Sequence, residues 1–160
     1  MNTQTETGNA LSDALRANFG GLTEIVTIQR GSFTLTSSTY ADDDILVIDQ
    51  WVDGGGHELV KSGGELSTRV YVGHSLPDET LKSLGTSKGE IMKFLAEVIA
   101  DKSRNIRLET PFDFTNDTFR YEYRILDSEP DFEITVGKEK IFYKNRCVFV
   151  HVFAKSPVNT

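Results

Sequence analysis

Cysteine occurs once in the 160 residues, tryptophan once, methionine twice and proline four times. A single thiol, Cys147, cannot close an internal disulfide, so the expected setting is the reducing cytoplasm. No stretch approaches the roughly 18 consecutive apolar residues of a membrane-spanning helix, and no membrane partner is expected. The opening MNTQTETGNALSD has neither the basic start nor the apolar run of a secretory signal. Basic charge is scarce at one end of the chain. Residues 1–60 carry nine acids against two bases, whereas 61–116 balance at eight and eight and 117–160 at seven and seven. The formal net charge of −7 therefore sits in the first 60 residues. A face of that sign repels phosphate backbones, which argues against direct nucleic-acid binding and favours a basic protein partner.

What is present reads as one globular domain. The chain divides into loose residues 1–8, a domain over 9–155 and a loose 156–160. Leu11, Leu15 and Phe19 recur at helical spacing after Asn9 and stop at Gly20-Gly21. The period then changes to two in TEIVTIQR, SFTLTS, ILVIDQWV, HELVK and ELSTRVYV, a meander of four or five antiparallel strands. In ELSTRVYV, Leu66, Thr68, Val70 and Val72 share one face. Ser75-Leu76-Pro77-Asp78-Glu79 is a helix start, with a short turn of helix running to Leu84-Gly85. Ser87 and Glu90 form a capping box for a longer helix over 88–103, whose buried side is Ile91, Phe94, Leu95, Val98 and Ile99. IRLETPF, TFRYEYRIL, DFEITV, KIFYK and CVFVHVFA return to strands. The expected fold is α+β, an antiparallel or mixed sheet with two or three helices on one face. Its expected core is Leu11, Leu15, Phe19, Ile48, Trp51, Ile91, Phe94, Leu95, Val98, Tyr121, Tyr123, Phe149 and Phe153.

The segment ADDDILVIDQWVDGGGHELVKSGGE holds seven acids and five glycines in residues 41–65. An EF-hand fails in both registers: from Asp49 the twelfth position is Val60, and from Asp42 the sixth is Val47. The outline of a metal-dependent nuclease, with Asp49 or Asp53 on one strand and Glu58 and Lys61 on the next, fails on spacing. Glu58 and Lys61 are three apart, and strand side chains alternate. Gly54–Gly56 and Gly63-Gly64 lead into strands rather than helices, so they are turns and not phosphate cradles. His57, His74 and His151 lack metal-ligand spacing, and neither a metal nor another cofactor is expected. Alternation in CVFVHVFA puts His151 with Cys147, Phe149 and Phe153, a satisfied core or interface histidine beside an inert thiol. Lys138, Lys140, Lys144 and Arg146 outnumber Glu139 on the last hairpins, interleaved with Phe142 and Tyr143, which reads as a charged guard on sheet edges.

Leu59-Val60-Lys61-Ser62-Gly63-Gly64-Glu65, set between an acidic hairpin and a capped helix, resembles the strand-ending turn of an uncharacterised bacterial and phage domain family. The resemblance spans roughly residues 15–110 and implies an accessory protein of a phage or other mobile element. The functional expectation is a non-catalytic, acidic interaction domain. Asp42, Asp43, Asp44, Asp53 and Glu58 would dock on the basic surface of a nucleic-acid-handling enzyme and inhibit it. Two alternatives stand beside it: a metal-dependent hydrolase built on Asp49, Asp53, Glu58 and Lys61, and a small-ligand module with a pocket lined by Trp51, Tyr121 and Tyr123. Self-association through CVFVHVFA as an edge strand is a further expectation.

Overall fold

A computed structural model describes residues 23–100 and 110–158. The described chain forms nine strands, two α-helices and a single 3-10 turn at Pro130–Phe132. Strands β1 (Glu24–Arg30), β2 (Phe33–Asp42), β3 (Ile45–Val52), β4 (Gly55–Ser62) and β5 (Glu65–Ser75) run as a meander. Helices α1 (Asp78–Leu84) and α2 (Lys88–Ala100) follow. Strands β6 (Phe112–Thr115), β7 (Phe119–Glu129), β8 (Ile134–Tyr143) and β9 (Arg146–Pro157) then form a second meander. Every pairing is antiparallel, and β9 returns to lie beside β5, giving one sheet in the order β1-β2-β3-β4-β5-β9-β8-β7-β6. None of the described helices is long and apolar enough to cross a membrane.

This corrects the expected α+β layering. Among the described residues the fold is a β-rich, wholly antiparallel sheet with one short pair of α-helices, inserted between β5 and β6. The two strand clusters flanking the helices are halves of the same sheet, because Ser67–Ser75 pairs with Phe149–Pro157. It follows that CVFVHVFA is not an edge. It is hydrogen-bonded to β5 on one side and β8 on the other, and the edges of the described sheet are β1 and β6. The predicted first helix, with Leu11, Leu15 and Phe19, lies outside the described residues, as does the loose 1–8 segment. At the other end β9 runs through Ser156 and Pro157, beyond the expected boundary at 155.

The helices form where the sequence asks for them. The Ser87 hydroxyl accepts the Glu90 amide at 3.2 Å and donates to the Glu90 carboxylate at 3.0 Å, closing the start of α2. Gly85, at φ +86°, ends α1 in the left-handed conformation that glycine adopts without strain. Ile91, Phe94, Leu95, Val98 and Ile99 are all buried, each contributing about 1.5–3 kcal/mol relative to exposure. Phe94 meets Phe119 at 5.2 Å and Phe114 at 5.8 Å between ring centroids, and the Tyr143 hydroxyl donates to the Gly85 carbonyl at 3.1 Å. These contacts fix the helical pair over the β6–β9 half of one sheet face, called here the inner face.

The structure adds to one alternation reading and corrects another. Leu66, Val70 and Val72 do share a face, but it is the outer one: they are 36%, 51% and 63% exposed. Their neighbours Ser67 and Arg69 point inward and are buried. The second concerns β9. The register shifts between Ile141↔Phe149 and Phe142↔Cys147, so Val148 and Phe149 are both buried. That bulge moves Cys147 off the face of His151. Of the expected core, Ile48 and Trp51 are only half-buried, whereas Ile91, Phe94, Leu95, Val98, Tyr121, Tyr123, Phe149 and Phe153 are buried.

Candidate ligand-binding site

The register lines up an unusual row across the inner face. Ser38 on β2 opposes Asp49 on β3, Asp49 opposes Glu58 on β4, Glu58 opposes Arg69 on β5, and Arg69 opposes Lys155 on β9. Two carboxylates facing each other across a strand pair repel unless each has its own partner. Both have one. Glu58 accepts from Arg69 Nε, with both side chains buried, and Asp49 accepts from the Tyr71 hydroxyl at 2.9 Å. The Arg69 guanidinium also lies over the Phe153 ring at 4.9 Å, while its Nη1 and Nη2 are buried without a hydrogen-bond partner among the described residues.

Tyr71 and Asp49 stand on strands separated by β4, and a missing side chain lets them meet. Gly56 lies between them, paired with Trp51 on one side and Tyr71 on the other. A Cβ at Gly56 would collide with the Tyr71 hydroxyl and ring, so only glycine leaves the phenol room to cross the strand. The same device recurs at Gly137, where a Cβ would strike the Tyr123 ring, and at Gly73, where it would meet the Val150 carbonyl and the His151 ring. Gly73 also has φ +147°, a conformation other residues avoid.

One row further along, His151 opposes Gly73 and Glu139. Its Nδ1 is 3.0 Å from Glu139 Oε1, and the other Glu139 oxygen accepts from Tyr121 at 2.7 Å. Glu139 is fully buried. With Nδ1–H donated to the carboxylate, neutral His151 keeps Nε2 as an acceptor. Its ring is held by Phe149, Phe153 and Tyr71 at 4.4, 5.7 and 5.8 Å.

Above these groups the sheet and the first turns of α2 enclose a cavity of about 560 Å³. Trp51, Tyr71, Met92, Leu95 and Phe149 supply apolar wall, and Asp49, Asp53, Glu58, His74, His151 and Lys88 supply the ionisable groups. A second hollow of about 360 Å³, shared through Asp53, Gly54, His74, Ser75 and Lys88, adjoins it beside the start of α1. Lys88 Nζ is 4.0 Å from Asp53 across this opening, both side chains being largely exposed.

The residues singled out from sequence scatter. Asp42, Asp43 and Asp44 are exposed at the β2–β3 turn, and Asp53 is exposed at the opposite end of β3, about 30 Å away at 3.3 Å per residue. Glu58, expected on a docking surface, is instead 2% exposed beneath the cavity. Asp49 and Glu58 do meet on the inner face, whereas Lys61, paired with Leu46, is exposed on the outer one. Among the described residues no group of three or more His, Cys, Asp or Glu could hold a metal. Of the suggested pocket residues, Trp51 lines the cavity, while Tyr121 and Tyr123 are packed in the core.

Sequence reasoning missed Arg69, Tyr71 and Glu139. The signal for Glu139 was present, since alternation in GKEKIFYK places it with Ile141 and Tyr143, not with the lysines. For Arg69 and Tyr71 there was none, because the more apolar set of β5 is the exposed set. Compared with protein-family models, curated proteins and solved structures, the chain matches none of them.

Proposed function

We propose that this protein binds a small organic cation, a molecule with an apolar body and a basic nitrogen, in the inner-face cavity. The observation that carries the reading is the lining itself. Glu58 is paired with Arg69 and Asp53 stands 4.0 Å from Lys88, while Asp49 adds a further carboxylate beside the aromatic surfaces of Trp51 and Tyr71. Aromatic faces and carboxylates together favour a desolvated cation. A cavity of about 560 Å³ is within the range of small-molecule sites. Asp49 and, when neutral, the Nε2 of His151 are acceptors, which suits a ligand rich in N–H donors. The glycine-cleared path of Tyr71 to Asp49 holds the acceptor in place before the ligand arrives.

Docking on a basic enzyme surface through the acidic residues would have to rest on the Asp42–Asp44 turn. Asp53 lies at the other end of β3, and Glu58 lies inside.

Trp51 is the single tryptophan and lines the cavity, so it reports occupancy directly. Titration with benzylammonium, which keeps three N–H donors, should change Trp51 emission saturably and raise the melting temperature, while benzoate at equal concentration should do neither. Asp49→Asn should weaken the cation at least tenfold, with its melting temperature reported alongside. Equal binding of benzoate, or no response to either probe, would overturn the reading.

A further inference from the structure

We infer that the ligand is a linear diamine of four or five carbons, held by a different acceptor at each end of the cavity. This rests on the cation reading above and adds a second nitrogen to it. The two acceptors are Asp49 and His151. They stand on β3 and β9, on opposite sides of Tyr71, because β4 separates β3 from β5 and β9 is the other neighbour of β5. The Tyr71 hydroxyl crosses Gly56 to reach Asp49 Oδ1 at 2.9 Å, and the Tyr71 ring centre is 5.8 Å from that of His151. With ~3 Å from a phenol oxygen to its ring centre, Asp49 Oδ1 and the imidazole are at most about 12 Å apart. An extended diamine of four or five carbons has ~6–8 Å between its nitrogens. Donor–acceptor distances of ~2.8 Å at each end, set at an angle to the chain, bring its reach to ~9–12 Å.

Each end is built to accept. Glu139, fully buried, holds His151 Nδ1 and is itself held by the Tyr121 hydroxyl, which fixes the ring and leaves the lone pair on Nε2. Nε2 makes no hydrogen bond with a described residue, and the side chain, 18% exposed, lines the cavity. An ammonium that donates to Nε2 has the Glu139 carboxylate directly behind the imidazole, so its charge meets one of opposite sign in a site of low dielectric. At the other end, the Asp49 carboxylate keeps lone pairs for ligand N–H groups beyond the one the Tyr71 hydroxyl takes. Between the ends, Trp51, Tyr71, Met92, Leu95 and Phe149 offer apolar surface to the methylenes. The one cavity-lining lysine, Lys88, stands beside Asp53 at the opening, where that carboxylate offsets its charge.

Titrations followed by Trp51 emission at ~0.15 M salt, which screens unspecific attraction to an acidic chain, test this. Pentane-1,5-diamine should bind at least tenfold more tightly than pentylamine. Across the series from propane-1,3-diamine to octane-1,8-diamine, affinity should peak at four or five carbons. His151→Phe with Glu139→Gln removes the second acceptor without stranding a buried carboxylate. It should bring pentane-1,5-diamine down to the affinity of pentylamine and leave pentylamine unchanged. The chain-length series uses the wild-type protein alone, so it decides the matter even if the double variant does not fold. Diamines no tighter than pentylamine, or an affinity that is flat or climbs steadily with chain length, would overturn the two-ended site. If benzylammonium still binds in that case, the cation reading stands without it. No response to any of the amines would overturn both.

Discussion

Removing one member of the Glu58–Arg69 pair should be far more damaging than removing both. The two side chains are 3% and 2% exposed, so neither charge left alone can recover its full hydration. Deleting one partner of such a pair costs about 3–5 kcal/mol, whereas exchanging both for well-packed apolar residues is often neutral or better. The order of the single variants follows from the surroundings. Glu58 borders the cavity and can recruit water when Arg69 becomes methionine. Arg69 cannot do the same: its Nη1 and Nη2 already lack partners, and Glu58→Leu would strand Nε as well. Glu58→Leu should therefore be the worse single change, lowering the melting temperature by roughly 10 °C or more at about 2–4 °C per kcal/mol for a chain of this size. Glu58→Leu with Arg69→Met should fall within about 1 kcal/mol of the wild type, because methionine still covers Phe153 and three polar groups needing partners are gone. Urea denaturation of the four proteins closes the cycle. A coupling energy below about 1 kcal/mol, or a double variant as unstable as the sum of the singles, would refute this account of the pair.

Two further changes test the backbone. Gly73→Ala should be severe, with loss of cooperative melting, because the added methyl meets the Val150 carbonyl and His151 at a φ of +147°. Gly64→Ala, at φ +86° in open space, should cost only about 1–2 kcal/mol, and comparable melts for the two would refute the close-approach argument. Ser87→Ala removes the hydroxyl that accepts the Glu90 amide; a loss of about 1 kcal/mol in urea unfolding is expected, with Ser87→Asp restoring most of it.

How legible each part was in the sequence depended on whether its cause was local. Helix α2 could be read almost residue by residue, because capping box and apolar spacing are properties of one segment. The turns at Asp43-Asp44 and Gly63-Gly64 were equally plain: Asp43 is at φ 42° and the glycines at 57° and 86°, conformations their residue types tolerate. The glycines of 54–56 were read less well. Gly54 makes the turn, but Gly55 and Gly56 are in strand β4, and Gly56 is there to clear Tyr71. The sequence points to one sheet without showing which strands join its halves, because the β5–β9 pairing is non-local, about 80 residues apart in sequence, and leaves no mark in either strand. Alternation gives the period of a strand and not the side that will be covered. Val70 and Val72 were visible as a face, yet nothing in ELSTRVYV says that Arg69 and Tyr71 are the side beneath the cavity.

That inversion ties the register of β5 to the proposed site. In β5 the register that points Arg69 and Tyr71 into the sheet's covered side necessarily turns Val70 and Val72 out, since side chains alternate with a period of two. A slip of one residue would bury the valines, worth about 1.5–3 kcal/mol each, and expose the arginine. The observed register must therefore be held by something that outweighs this gain. On the inner face the holding contacts are Glu58 to Arg69, Tyr71 to Asp49, and the Gly73 backbone against His151. All three are also the floor and wall of the cavity. The register of β5 and the cavity floor rest on the same contacts, so Glu58→Leu should lose the saturable Trp51 response to benzylammonium along with its stability. A Glu58→Leu chain that melts early yet binds as the wild type does would refute the link.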